Sequence, residues 1–237
     1  MNIYEDGIYS EQVGDFNVVD RSEPWDYEEP VVDVQDWEYE KHMESVQRRI
    51  NVRPSQFVET SILMPDPHTR RLAPFNFSER RYLRQIYDTP AKRLLLMCGR
   101  QTEKSTTTGM RLLALSCIIP HFKTLYVSPS AAQTKEFSKT RIKELLETCP
   151  DLRVWFPSKL TDNVFEKRAI NRSAVTLRYA FLNADRCRGL SADFIILDEL
   201  QDFILDNIPV IEEAASHSPY RYFLYAGTPK SVDNPIE

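Results

Sequence analysis

Leu94-Leu95-Leu96-Met97-Cys98-Gly99-Arg100-Gln101-Thr102-Glu103-Lys104-Ser105-Thr106 constrains the fold more than any other stretch of this chain. An apolar run of strand length, reading as a buried strand, meets a tight turn. The turn opens into a helix-forming segment that carries Lys-Ser. A strand that hands over to a helix in this way belongs in a layered α/β architecture. The loop between them turns backbone N–H groups and a helix N-terminus toward an anion. In the phosphate-loop pattern G-x-x-x-x-G-K-[ST], the Lys reaches the β- and γ-phosphates and the next hydroxyl ligates Mg²⁺. Those two positions are Lys104 and Ser105. The strict pattern asks for glycine at positions 98 and 103, where this chain has Cys98 and Glu103. The strand–turn–helix context supports a phosphate loop; the competing reading is a surface turn that happens to contain Lys-Ser.

Phe194-Ile195-Ile196-Leu197-Asp198-Glu199 is a second apolar strand, ending in two carboxylates, and Asp198 follows Lys104 by 94 residues. Asp198 at the strand end is suited to hold Mg²⁺ beside Ser105. Glu199 is suited to orient and deprotonate an attacking water. A third strand, Tyr222-Phe223-Leu224-Tyr225-Ala226, runs into Gly227-Thr228-Pro229. That turn is either ordinary or the element that senses hydrolysis and couples it to movement.

Taken in order, Gly99-Arg100-Gln101-Thr102-x-Lys104-Ser105-Thr106, Arg186-x-Arg188-Gly189, Ile196-Leu197-Asp198-Glu199 and Ala226-Gly227-Thr228-Pro229 resemble the large terminase subunit of tailed bacteriophages, over about residues 50 to 237. The similarity is to that subunit's N-terminal ATPase half. It implies an α/β P-loop NTPase of ASCE type, with a mostly parallel central sheet flanked by helices. The activity implied is ATP hydrolysis with Mg²⁺, coupled to translocation of double-stranded DNA into a procapsid. Implied partners are the portal protein, the small terminase subunit and further copies of the chain, as a pentamer on the capsid and a monomer in solution. The implied location is the host cell cytoplasm. The family continues into a nuclease domain of RNase H type with clustered metal-binding carboxylates, and these 237 residues contain no such cluster.

The resemblance also assigns roles by position. Gly99, Arg100, Gln101, Thr102, Glu103, Lys104, Ser105 and Thr106 form the nucleotide loop, with Arg100 neutralising phosphate charge. Phe75 to Gln85 resembles the family's adenine-contacting segment, and Gln85 has both the donor and the acceptor that an adenine edge requires. Ser105 and Asp198 are the Mg²⁺ ligands, Glu199 is the base, and Gly227, Thr228 and Pro229 are the coupling turn. Arg141 stands where the family has an arginine thought to reach a neighbouring subunit's site. Its alternative is an exposed helix residue paired with Glu144 at i,i+3. Arg186 and Arg188 are candidate sensor or subunit-contact residues. Gln85 is otherwise an exposed helix glutamine.

Glu103 departs from the family pattern. Glycine there permits backbone conformations closed to other residues and a close approach to phosphate. A glutamate adds bulk and negative charge, so weaker ATP binding than in a Glu103→Gly variant is expected. The side chain points outward, or the ATPase is impaired or regulated, or the residue is a substitution. A helicase-type ATPase with a second motor domain and a nucleotide-blind assembly module are the competing functions.

Charge divides the chain. Residues 1–40 carry 13 Asp/Glu and a single basic residue, Arg21; the remainder carries 22 Asp/Glu against 29 Lys/Arg, within a total of −5. The acidic stretch interleaves aromatics such as Trp25 and Trp37 without sustained periodicity. Residues 1–45 therefore read as a flexible or surface-wrapping N-terminal arm, and residues 46–237 as the ATPase domain. The arm docks on the basic body or on a partner, or is simply solvated. Lys135, Lys139, Arg141 and Lys143 form a basic helix, and Arg168, Arg172 and Arg178 a basic hairpin, suited to duplex phosphates or to solvent. Cys98, Cys117, Cys149 and Cys187 lack metal spacing and read as reduced thiols of an intracellular protein. No apolar run reaches the length of a membrane span, and the acidic start is unlike a secretory leader.

The periodicity predicts helices at 42–50, at 80–88 capped by Ser78, from the loop to 116, at 131–147 and at 208–215. It predicts an irregular segment at 51–67, strands at 93–97, 124–127, 194–198 and 222–226, and a hairpin or meander over 161–181 turning at Asn171-Arg172-Ser173.

Overall fold

The computed structural model describes residues 52–66, 69–78, 80–99, 101–158, 163–180 and 182–229. The acidic arm, the helix expected at 42–50 and Arg100 lie outside the described residues.

The first element is a helix, α1 (Pro54–Ser61), where an irregular segment was expected. Pro54 does not interrupt it, because proline in the first turn lacks only an N–H that has no helical partner. A two-stranded antiparallel sheet follows, β1 (Leu63–Pro65) with β2 (Leu72–Pro74). Helix α2 (Arg81–Asp88) is not capped by Ser78; that hydroxyl bonds Asn76 instead. Asp88 accepts from the backbone N–H and the hydroxyl of Ser55, at 2.9 and 2.6 Å, which fastens α2 to α1.

The main sheet contains β3 (Arg93–Met97), β4 (Lys123–Ser128), β5 (Glu166–Arg168), β6 (Ala174–Tyr179), β7 (Phe194–Asp198) and β8 (Tyr222–Gly227), in spatial order β3-β8-β7-β4-β6-β5. It is a mixed sheet. Five strands run parallel, and β5 pairs antiparallel with β6 as the hairpin predicted around Asn171–Ser173. Helix α3 (Lys104–Ile118) follows the loop and is buried from Thr107 onward. Helix α4 (Ala131–Phe137) passes through π-helical turns at Ser138–Lys143 into α5 (Glu144–Thr148). Pro150 opens a further helix, α6 (Pro150–Trp155), and α7 (Asn207–Glu212) lies between β7 and β8.

Strand periodicity sorts the core into two layers. Leu125 and Val127 of β4 and Ile195 and Leu197 of β7 share an apolar cluster with Ile211 of α7 and Phe223 of β8. The alternate residues of β7, Phe194 and Asp198, face the other side, where the Arg111 guanidinium of α3 lies over the Phe194 ring at 5.5 Å. β7 is buried along its whole length, as its unbroken apolar run predicts. β3 is not. Among the described residues it stands at the sheet edge with only β8 beside it, and Leu95 and Met97 are exposed, so the apolar run there belongs to an edge strand rather than a central one.

Candidate functional site

Because β3, β8 and β7 are parallel neighbours, their carboxyl ends open on one side of the sheet, where open α/β folds bind ligands. The β3–β8 pairing extends past the strand: the Cys98 N–H donates to the Gly227 carbonyl at 3.1 Å, tying the root of the loop to the Gly227–Pro229 turn. A cavity of about 590 Å³ lies at these strand ends. Its lining includes Gly99, Gln101, Thr102, Glu103, Lys104, Ser105 and Thr106 from the loop and the start of α3. Arg141, Glu199, Thr228 and Pro229 join them from three other segments, with Gln201 and Asp202. Gln85 is exposed on α2 and is not in this lining. Neither are Arg186, which stacks on Tyr179 at 4.3 Å, and Arg188, which pairs with Asp185 at 3.1 Å.

Lys104 is the centre of charge. Its Nζ lies 3.0 Å from Glu199 Oε1 and 3.9 Å from Asp198 Oδ1. Asp198 is 3% exposed. Its Oδ2 accepts from the Tyr126 hydroxyl at 2.9 Å, and its Oδ1 from the Glu199 N–H at 3.1 Å. Burial pushes the Asp198 carboxyl above the usual carboxylate range; Lys104 opposes that rise and Glu199 adds to it. Burial and Asp198 together push the Tyr126 hydroxyl well up, so it stays a proton donor. Tyr126 is held flat against Phe137 of α4, ring centroids 3.9 Å apart.

Three residues of the lining have left-handed backbone: Gln101, Glu103 and Glu199. Glu199 has φ 57°, which ends β7 abruptly and turns its carboxylate back toward Lys104. Glu103 has φ 60° and ψ 19°, the region that favours glycine. The backbone at Glu103 thus takes a conformation that favours glycine, with a glutamate in place. The Glu103 carboxylate pairs with Arg80 at 2.8 Å, so of the three readings of Glu103 the geometry matches the side chain engaged outside the phosphate loop.

Arg141 reaches the cavity of its own chain. Its guanidinium donates to the Thr140 carbonyl at 3.4 Å rather than pairing with Glu144. The π-helical turns that carry it pack on α3 at Gly109, where an added Cβ would lie 3.4 Å from both Arg141 Cβ and the Arg141 carbonyl oxygen. Alanine fits at that distance and removes a mid-helix glycine, so Gly109→Ala is expected to raise unfolding stability by about 0.5–1 kcal/mol. Gly109→Leu has no such room. It is expected to push Arg141 off the cavity and to lower stability by about 1–3 kcal/mol. Urea unfolding of both variants checks this; equal stabilities would refute the close contact.

The residues present fit a polyphosphate and its divalent cation. A buried ammonium is held by carboxylates it can exchange for phosphate. α3 begins without a side-chain cap in the turn that lines the cavity. A hydroxyl, Ser105, lines the same cavity, and a buried carboxylate, Asp198, lies beside Lys104. Among the described residues no group of three or more His, Cys, Asp and Glu could hold a metal by itself, so a cation here draws on the Ser105 hydroxyl and on phosphate oxygens as well. All four cysteines are free thiols. No described helix is long and apolar enough to cross a membrane.

Sequence reasoning missed Gln201, Tyr126 and Arg80. Tyr126 was signalled: it alternates with Leu125 and Val127, on the face that Asp198 shares. Gln201 and Arg80 carried no pattern of their own.

No family model matches the chain, and no curated protein does. Solved structures do. The large terminase ATPase domain of Thermus phage P74-26 is similar over 64% of this chain and 65% of its own, at 21% identity and a TM-score of 0.53. The large terminase of bacteriophage HK97 is similar over 74% of this chain and 37% of its own, at 17% identity and a TM-score of 0.59. This chain therefore spans less than two thirds of the length of either. What it shares with the ATPase domains of phage large terminases is their α/β fold.

Proposed function

We propose that this chain is the ATPase domain of a viral DNA-packaging terminase, hydrolysing Mg·ATP to drive double-stranded DNA into a procapsid. The observation that carries the reading is the meeting of Lys104, Ser105, Glu199, Arg141 and Thr228 around one cavity, with Asp198 beside them. The fold shared with phage large-terminase ATPase domains supports the biological setting. From that setting come the portal protein, the small terminase subunit, a pentameric assembly and the host cytoplasm.

In this reading Lys104 leaves Glu199 and Asp198 for the β- and γ-phosphates, while Gly99, Arg100, Gln101, Thr102, Glu103 and Thr106 complete the loop around them. Ser105 and Asp198 are the residues that would hold Mg²⁺, which would supply neutralisation of phosphate charge. Glu199, released from Lys104, takes a proton from the attacking water. Arg141 stabilises charge on the transferring phosphoryl group from within the same chain. Gln85 meets the adenine, and Gly227–Pro229 passes the state of the site outward.

Mg²⁺-dependent ATP hydrolysis, measured across protein concentration, tests the proposal. Hydrolysis lost in Lys104→Ala, with specific activity independent of concentration, is expected when Arg141 acts within its own chain. A steep rise with concentration would move the arginine role to a neighbouring copy. Absence of nucleotide binding in the wild type and in Glu103→Gly would favour an assembly module over an ATPase.

A further inference from the structure

We infer that Gln201 is a positioning residue that links Glu199 to the Gly227–Pro229 turn, so that the pairing of the Glu199 carboxylate is read at the Thr228 amide. The link rests on the reading of this cavity as a nucleotide site for its purpose, but not for its geometry.

Gln201 sits in the short 3-10 turn Leu200–Asp202 that follows the left-handed Glu199, and it is 8% exposed. Both ends of its side-chain amide are engaged. Nε2 donates to Glu199 Oε2. Oε1 accepts the Thr228 N–H at 3.0 Å. Reversing the amide would set its oxygen against a carboxylate oxygen and its NH₂ against an N–H, so the two partners fix one orientation between them. Glu199 Oε1 is meanwhile held by Lys104. The result is a single line of contacts from Lys104 through Glu199 and Gln201 to Thr228, which crosses from β7 to the end of β8.

The line has a mechanical consequence. Thr228 lies one residue past β8, so its N–H is beyond the ladder and takes its acceptor from Gln201. When Lys104 moves from Glu199 to a phosphate, the carboxylate loses its ion-pair partner and is free to swing. Gln201 Nε2 follows the carboxylate. One planar amide carries both bonds, so a movement of Nε2 with the carboxylate turns the plane and weakens the Oε1 bond to Thr228. Filling the cavity therefore changes the hydrogen bonding of the turn through Gln201, beside any contact made directly with Thr228 in the lining.

The test is amide exchange and the amide resonance of Thr228 in the full ¹⁵N-labelled chain. Gln201→Ala is expected to lower Thr228 protection about 3- to 10-fold, the range for loss of one hydrogen bond. Glu199→Ala is expected to lower it too, but to add nothing in the Gln201→Ala background. Addition of Mg²⁺ with a non-hydrolysable ATP analogue lowers Thr228 exchange protection in the wild type and leaves it unchanged in Gln201→Ala. Independent, multiplying effects of the Glu199 and Gln201 substitutions overturn the link, as does a Thr228 amide indifferent to Gln201. A merely structural Gln201 would move Thr228 without this non-additivity. If the wild type binds no nucleotide, the reading of the cavity fails, and the nucleotide-free cycle still decides the link.

Discussion

Glu199→Gln is expected to bind Mg·ATP with wild-type affinity and to hydrolyse it about 10²–10⁴-fold more slowly, the usual loss when a positioned general base is removed. The substitution keeps shape and an oxygen facing Lys104, and sets an NH₂ where Glu199 Oε2 accepted from Gln201 Nε2. A glutamine oxygen still accepts from Lys104, whose partner Glu199 Oε1 now lies at 3.0 Å. What disappears is the capacity to take a proton. Burial and the neighbouring Asp198 make the effect separable from folding, because Asp198 keeps its own donors, Tyr126 and the backbone N–H of residue 199. The Asp198 carboxyl is already held up by burial and by Glu199, and neutralising Glu199 removes one of those causes. Equilibrium nucleotide binding and single-turnover hydrolysis together check the prediction. A variant that hydrolyses ATP at more than a tenth of the wild-type rate would remove Glu199 from the role of base.

Arg80→Ala is expected to weaken ATP binding by about 5- to 30-fold, and to have no effect when Glu103 is glycine. Like charges about 4 Å apart repel by ~1 kcal/mol in water-like surroundings and ~4 kcal/mol at an effective dielectric of about 20. The lower part of that range applies, since the Arg80 and Glu103 side chains are 39% and 31% exposed. In the wild type the guanidinium neutralises the carboxylate at 2.8 Å; without it, a lone negative charge borders the phosphate loop. Glu103→Gly is expected to bind ATP more tightly than the wild type. It also removes a left-handed non-glycine residue, worth roughly 1–2 kcal/mol of stability, against a partly exposed ion pair worth about 0–1 kcal/mol. A net gain of about 1 kcal/mol follows. Binding titrations across the four combinations check the coupling. An equal loss on Arg80→Ala with and without Glu103 would show that the arginine does not act through the glutamate.

The parts of the fold legible in the sequence were those written in short-range pattern. The β7 run, the strand–loop–helix at Lys104 and the hairpin at Asn171–Ser173 each declare themselves within ten residues or so. Where long-range context decided the outcome, the sequence misled. Nothing in Leu94–Met97 distinguishes an edge strand from a central one, because edge status depends on which strand comes to lie beside β8. The wide turns at Ser138–Lys143 follow from burial, which the polar Thr134 and Ser138 do not announce in the sequence. Buried Thr134, Ser138, Ile142 and Leu146 recur every four residues. In an α-helix of 3.6 residues per turn that spacing drifts by about 40° each time, and a wider turn resets the face. At the candidate site, Lys104, Ser105, Glu199 and Thr228 come from motifs whose type and spacing are visible in the sequence, and they line one cavity. Gln201 and Arg80 act through partners 27 and 23 residues away, distances at which one sequence carries no pattern.

The Lys104–Glu199 contact carries a consequence for descent as well as for chemistry. Lys104 is nearly enclosed, with its side chain 9% exposed, and Asp198 is 5% exposed beside it. Losing one member of a buried pair leaves an uncompensated charge, which costs about 3–5 kcal/mol where burial is complete. Selection for a folded chain alone is then enough to keep both motifs together. In a lineage that abandoned hydrolysis, the lysine and its carboxylates would disappear jointly or persist jointly. Arg141, whose recorded hydrogen bond is a long one to its own neighbour's carbonyl, would be the first of the set to drift.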